Sequence, residues 1–272
     1  MKYKMIALDL DGTLNNDQKE ISQRTKDALI AVQKQGVTVV LATGRPTPGL
    51  KRESDALELE KYNGILLSYN GGKVVDASTK EVLYEESLPN DVAVKLLKHI
   101  EDMPVTPIVD DGIDYYTVSK DEFMIGFESK LNNIGIKEVE NVADAVDFNP
   151  VKVLIAAPKE LLVPVIEQIK EPFKKELSFV QSTPYFLEAT VKGINKASSL
   201  QAVCDKLEID PSEVIAFGDQ LNDVSMIKFA GLGVAMGNAC DGLKEVADEI
   251  TLSNNEDGIA HILHKYYNLE AC

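Results

Sequence analysis

Apolar runs that end in acids or glycines set the rhythm at the start of the chain. Residues 3–10 are apolar until they reach carboxylates, which predicts a buried strand. Ser22 can cap a helix whose apolar Ala28, Leu29 and Val32 recur at helical spacing, and Gly36 closes it. Residues 37–42 form a second buried strand, followed by Thr43-Gly44-Arg45-Pro46. Another helical stretch leads to a strand at 65–69 and the turn Asn70-Gly71-Gly72. A βαβαβ order of this kind predicts an α/β fold with a doubly wound parallel sheet.

The pattern then changes. Residues 74–76 and 82–85 read as a hairpin around Ser78-Thr79-Lys80. The stretch 87–188 mixes helices at 91–101, 122–131 and 159–169 with strands at 105–109, 115–118, 151–156 and 177–181. After it the alternation resumes: helix 196–207, strand 214–218, helix 223–229, strand 233–236, a short helix to Val246, strand 250–252 and a last helix to about Tyr267. The expectation is a Rossmann-like core in two parts, 1–86 and 189–272, with an inserted α+β domain at 87–188. No repeat or low-complexity stretch appears.

Composition narrows the partners. The chain has 272 residues, 44% of them hydrophobic and 26% charged, enough for a sizeable core. Its net charge of −16 argues against nucleic acid or an anionic membrane surface, both of which need clustered cations. Small phosphorylated molecules stay open, because a bound divalent cation reverses the field locally. Cys204, Cys240 and Cys272 are far apart with no CxxC, which disfavours a disulfide framework or a zinc site and predicts a reducing, cytoplasmic setting. The opening apolar stretch is too short for a signal peptide, and no apolar run approaches a membrane span.

The polar clusters sit where ligands of open parallel sheets bind, beyond the carboxyl ends of strands. Asp9 and Asp11 follow the first strand, Thr43 the second, and Asp219 the strand 214–218. Asp9 and Asp11 are two apart and can face one way in an extended segment. A pair of aspartates also occurs in solvated turns. Here, however, a buried run delivers them to an interior edge, where unpaired carboxylates are costly without a cation. Gly12 permits a sharp turn and Thr13 can brace the loop. In Asp219-Gln220-Leu221-Asn222-Asp223, helix capping explains Asn222 or Asp223 well and Asp219 poorly, and hard oxygen ligands suit Mg²⁺. Lys196 opens a helix with Asn195 as N-cap, and alone reads equally as a solvated lysine. An anionic partner would offset its unfavourable place at a helix N-terminus. Thr43-Gly44-Arg45 offers a hydroxyl and backbone N–H groups as a phosphate cradle. His99, His261 and His264 lack metal spacing, and Tyr115-Tyr116 and Tyr185-Phe186 read as strand aromatics of a core.

In order and context, Asp9-Leu10-Asp11-Gly12-Thr13, Thr43-Gly44-Arg45, Lys196 and Gly218-Asp219-Gln220-Leu221-Asn222-Asp223 resemble the four motifs of haloacid dehalogenase superfamily phosphatases. The insert resembles the large cap of their Cof-type branch, the YidA-like sugar phosphatases, as do Asn70-Gly71-Gly72 and the segment 234–239. Ala197 departs from the glycine usual after that lysine, a change that favours the helix. The resemblance implies Asp9 as nucleophile, Asp11 as general acid and base with a raised pKa, and Lys196 bridging Asp9 and phosphate. It implies phosphate contacts from Leu10, Thr43, Gly44, Arg45, Lys196 and Asn222, and Mg²⁺ at Asp9, Asp11 (through its carbonyl), Asp219 and Asp223. Dehalogenase relatives lack the second aspartate and ion-pumping relatives carry threonine there, so Asp11 implies that water completes the reaction. The expected activity is hydrolysis of a small phosphomonoester, a sugar phosphate, by a monomer or homodimer whose cap closes over the core. A sugar phosphomutase and a catalytically silent binding protein are the alternatives.

Overall fold

The structure, a computed structural model, describes residues 2–269. The chain divides into two compact units, one formed by the residues up to Tyr84 together with those from Asn195 onward, the other by Glu85–Ile194. The α/β class and the parallel sheet expected from the alternation are present.

The first unit is built on strands β1 (Met5–Leu8), β2 (Thr38–Ala42), β3 (Ile65–Ser68), β4 (Lys73–Asp76) and β5 (Val82–Glu85), with helices α1 (Gln23–Lys34) and α2 (Lys51–Ala56) between them. The second unit contains α3 (Asn90–Ile100), β6 (Thr106–Asp110), β7 (Asp114–Thr117), α4 (Ile125–Asn132), β8 (Gly135–Glu138), α5 (Val142–Ala145), β9 (Val153–Ala156), α6 (Lys159–Lys170), β10 (Leu177–Thr183) and β11 (Phe186–Val191). The first unit is completed by α7 (Lys196–Leu207), β12 (Val214–Gly218), α8 (Val224–Phe229), β13 (Leu232–Ala235), α9 (Asp241–Lys244), β14 (Glu249–Ile250) and α10 (Gly258–Tyr266).

The sheet of the first unit runs β14-β13-β12-β1-β2-β3-β4-β5. Every pair from β14 to β3 is parallel, and β4 turns back antiparallel on β3. All four residues of β1 are buried, as a central strand covered on both faces requires. Leu8 lies opposite Leu41 on one side and Phe217 on the other. That register carries the chain outward to Asp9, Thr43 and Asp219 at one carboxyl edge. Ser22 caps α1 as expected, its hydroxyl accepting the Thr25 N–H at 3.1 Å.

The inserted unit has its own sheet, β10-β11-β9-β6-β7-β8. Tyr115 and Tyr116 fall on opposite faces and join separate apolar clusters, and Phe186 packs with Tyr115. The expected end of the insert at Glu188 falls inside β11, which continues to Val191. The short, mostly exposed β8 was not expected as a strand at all. Helix α4 begins at Ile125 rather than at 122: Met124 is left-handed at φ 65°, and the Glu122 carboxylate accepts the Thr106 hydroxyl at 2.9 Å. Among the described residues no helix is long and apolar enough to cross a membrane. Cys204 and Cys240 are free thiols, and Cys272 lies outside the described residues.

Candidate active site

Strand pairing fixes Asp9 before any side chain acts, because its N–H donates to the Phe217 carbonyl at 3.1 Å. Across from it, Lys196 opens α7 and has no exposed surface. The helix is held there by the Asn195 side chain, which accepts the Ala197 and Ser198 N–H groups, and by the Ser199 hydroxyl on the Gly71 carbonyl. The Lys196 ammonium donates to Asp9 Oδ1 at 2.5 Å, Asp223 Oδ1 at 2.7 Å and the Ala42 carbonyl at 2.9 Å. Its three donors are thus satisfied, and the solvated reading of this lysine is excluded.

Asp223 uses both oxygens. Oδ1 accepts from Lys196, and Oδ2 accepts the N–H groups of Asp219 and Gln220 at 2.9 and 3.1 Å. Asp219 accepts the Thr13 hydroxyl at 3.0 Å and the Gln220 amide at 3.1 Å. Thr13 therefore braces the first loop against the last, as its position suggested. Gly12 is needed twice: φ is +89°, and a Cβ would stand 2.4 Å from Asp219 Oδ2.

Carboxylate oxygens of Asp9, Asp219 and Asp223 lie within 4.8 Å of one another. Burial pushes the Asp9 carboxyl well above the usual range, with the Asp223 charge adding to it and Lys196 opposing. Burial also raises Asp219, against the Gln220 hydrogen bond and with the Asp223 charge. Burial disfavours the Lys196 charge, but Asp223 and Asp9 outweigh it and keep the ammonium protonated. Three buried carboxylates around one ammonium leave surplus negative charge in a dry place, and a hard cation relieves that. With oxygen donors only, the set fits Mg²⁺.

Asp11 departs from expectation. Its carboxylate lies outside this cluster and its pKa is lowered, not raised. Burial alone would raise it, but the Arg45 and Lys19 charges and hydrogen bonds prevail. Arg45 Nε donates to Asp11 Oδ2 at 3.0 Å, its NH2 reaches both oxygens at 2.7 Å, and Lys19 Nζ adds a contact at 3.0 Å. The same contacts engage Arg45: its guanidinium is paired with Asp11, and its N–H donates to Thr43 Oγ1 at 3.2 Å. The Leu10 side chain is fully buried in the core, leaving only its backbone for any ligand.

Thr43 is buried beside Ala42, and Gly44 lies so close to Asn70 that a Cβ would stand 2.9 Å from its Nδ2. Asn222 Nδ2 donates to Asn70 Oδ1 at 3.2 Å. Asn70, expected in a turn and in a segment like those of the Cof-type branch, thus links two residues of the expected cradle. Its signal was an asparagine before two glycines at a strand end. Tyr69 and Asn70 are both left-handed, at φ 52° and 56°.

The chain matches the haloacid dehalogenase-like hydrolase family over residues 6–263. It is 33% identical over 275 residues to the Bacillus subtilis protein named 5-amino-6-(5-phospho-D-ribitylamino)uracil phosphatase YitU, covering 98% of this chain and 99% of that one. It superimposes with a TM-score of 0.93 on the crystal structure of a haloacid dehalogenase-like hydrolase from Bacteroides thetaiotaomicron, at 40% identity, covering 97% and 100% of the two chains. For TM0651 from Thermotoga maritima the TM-score is 0.87 at 28% identity, covering 99% and 98%.

Proposed function

Since the chain belongs to the haloacid dehalogenase-like hydrolase family and is a phosphatase, we propose that it is a cytoplasmic, Mg²⁺-dependent phosphomonoester hydrolase working through an aspartyl-phosphate on Asp9. The observation that carries this reading is the Asp9 carboxylate, set at a strand end with the buried Lys196 ammonium 2.5 Å away and the Asp219 and Asp223 carboxylates beside it.

A carboxylate nucleophile needs no base at neutral pH; its difficulty is approaching an anion. Asp9 and Asp219 would hold the cation, with Asp223 orienting Lys196 and the Asp219 loop. Bound there, Mg²⁺ supplies positive charge against the phosphoryl oxygens. Lys196 holds Asp9 in place and offers a further positive charge to the incoming phosphoryl group. An Asp9 oxygen attacks phosphorus, the bond from phosphorus to the ester oxygen breaks, and the Asp11 carboxyl gives its proton to the departing alkoxide. Water then attacks phosphorus and passes a proton to Asp11, freeing Asp9 and inorganic phosphate. Transfers of this kind are worth about 10²–10⁴-fold in rate. The resting grip of Arg45 and Lys19 on Asp11 suits the second, base half; the first half needs that grip to loosen.

For the substrate we propose the phosphate ester of a polyhydroxylated chain, a sugar or sugar-alcohol phosphate. The support is the similarity to YitU, a protein named for a substrate that carries its phosphate on a ribityl chain. Phosphate release from p-nitrophenyl phosphate and from sugar phosphates, with Mg²⁺ and with a chelator, tests the reading. Release should need the metal and vanish in Asp9→Asn. Release that persists in that variant would overturn Asp9 as the nucleophile.

A further inference from the structure

Glu53 is a carboxylate that the mechanism above does not use, yet it is 1% exposed. It lies in α2, within the charged run Lys51-Arg52-Glu53-Ser54-Asp55. A buried carboxylate is costly unless partners offset it, so its partners show what it is for. Oε1 accepts the Asn15 side-chain amide at 2.9 Å and Arg52 NH2 at 2.5 Å, and Arg45 NH1 stands 3.9 Å away. Oε2 is buried without a hydrogen-bond partner.

Two of these partners lead to Asp11. The Arg45 guanidinium presents Nε and NH2 to Asp11, while NH1 faces Glu53 and the Gly49 carbonyl, so a negative charge stands on each side of the fork. Asn15 is bridged to Asp11 across the first loop, and its own N–H donates to the Leu10 carbonyl at 2.8 Å. One buried carboxylate therefore ties down the Asp11 loop through Asn15 and sets a negative charge behind the arginine that grips Asp11. Electrostatic contacts are strongest where water is excluded.

We infer that Glu53 is a positioning residue for Asp11, acting through Arg45 and Asn15 to set the direction in which the Asp11 carboxyl faces the leaving group. This rests on the phosphatase reading, with Asp11 as general acid and base. An alkoxide leaves only with a proton, whereas p-nitrophenolate leaves without one, so a misdirected Asp11 harms alkyl phosphates selectively.

The experiment compares kcat on a sugar phosphate and on p-nitrophenyl phosphate for the wild type, E53Q, E53D, D11A and D11A/E53Q. Glutamine keeps the volume and an acceptor for Asn15 but removes the charge facing Arg45. The ratio of alkyl to aryl turnover should fall about tenfold in E53Q and less in E53D, which retains the charge. It should fall no further when E53Q is added to D11A, since residues acting as a unit are not additive. If E53Q does not fold, E53D and D11A/E53D carry the same comparison. An equal loss on both substrates, or an additive loss in the D11A background, would show a merely structural role and overturn the inference. No phosphate release by the wild type from either ester would instead overturn the hydrolase reading, and this inference with it.

Discussion

Lys196 Nζ lies 2.5 Å from Asp9 Oδ1 in a place where the lysine has no contact with solvent. The same ammonium is 2.7 Å from Asp223, so one cation serves two buried carboxylates. Lys196→Met keeps the length of the side chain and removes the charge. Breaking a buried pair from one side should lower stability by about 3–5 kcal/mol at neutral pH and abolish turnover. Adding Asp9→Asn should recover part of the stability and none of the activity. Denaturant unfolding of the two variants checks this; a single variant as stable as the wild type would contradict it.

The raised Asp9 and Asp219 carboxyls give the metal-free protein a defined pH response. In the unfolded chain both lose their protons in the ordinary carboxylate range, at roughly pH 4, whereas the folded chain holds them to higher pH. Over that interval the folded state binds more protons, so its stability falls as pH rises. Mg²⁺ should therefore raise the melting temperature most at about pH 8 and progressively less towards about pH 5. Asp9→Asn should by itself raise the metal-free melting temperature at neutral pH. Thermal melts with Mg²⁺ and with a chelator decide the matter. A stabilisation by Mg²⁺ that does not change with pH would contradict the charge surplus.

Asp11 responds in the opposite sense. Burial would raise it, and Arg45 with Lys19 holds it below the usual range. In the half where the ionised form is the base, Asp11 stays available at lower pH than an ordinary carboxylate would. In Arg45→Met the burial contribution is left with less to oppose it, so the acidic limb of the profile should move to higher pH. A limb that stays in place would mean that Arg45 does not set this ionisation.

Asn70 separates backbone from side chain. At φ 56° and ψ 28° it is left-handed, a conformation that asparagine and glycine tolerate and alanine does not. Asn70→Ala should cost about 1–2 kcal/mol while Asn70→Gly costs little of that strain. Both lose the amide that Asn222 leans on, so both should raise KM for phosphate esters by a similar factor. A KM change in the alanine variant alone would assign the effect to strain.

Much of this site was legible in the chain because it follows strand ends. Asp9, Thr43 and Asp219 each come directly after a buried apolar run, and parallel register brings such ends to one edge. Lys196 was legible as a helix start but not as buried, because burial depends on β1 and β12 pairing from opposite ends of the sequence. The partner of Arg45 was hidden for the same reason: Asp11 is remote in sequence, and a long side chain beside a phosphate cradle has several places to point. Glu53 was concealed by its neighbours, since a run of lysine, arginine and acids resembles a solvated face. Strand β8 offers a single apolar position, the half-buried Ile136, too short a signal to mark a strand.

Because β1 pairs with β12 along its whole length, the nascent chain leaves the ribosome with that edge of its first strand unmatched. The partner strand is translated only after the whole of Glu85–Ile194 has been synthesised. Until then the apolar Met5, Ile6 and Leu8 belong to an open-edged half-sheet, the kind of surface on which chaperones act and aggregates seed. A product truncated before Val214 would carry Asp9 and Asp11 without Lys196's second carboxylate, Asp219's brace or strands β12, β13 and β14. Only when β12 has paired with β1 is that edge of the first strand covered and the Asp9, Asp219 and Asp223 cluster assembled.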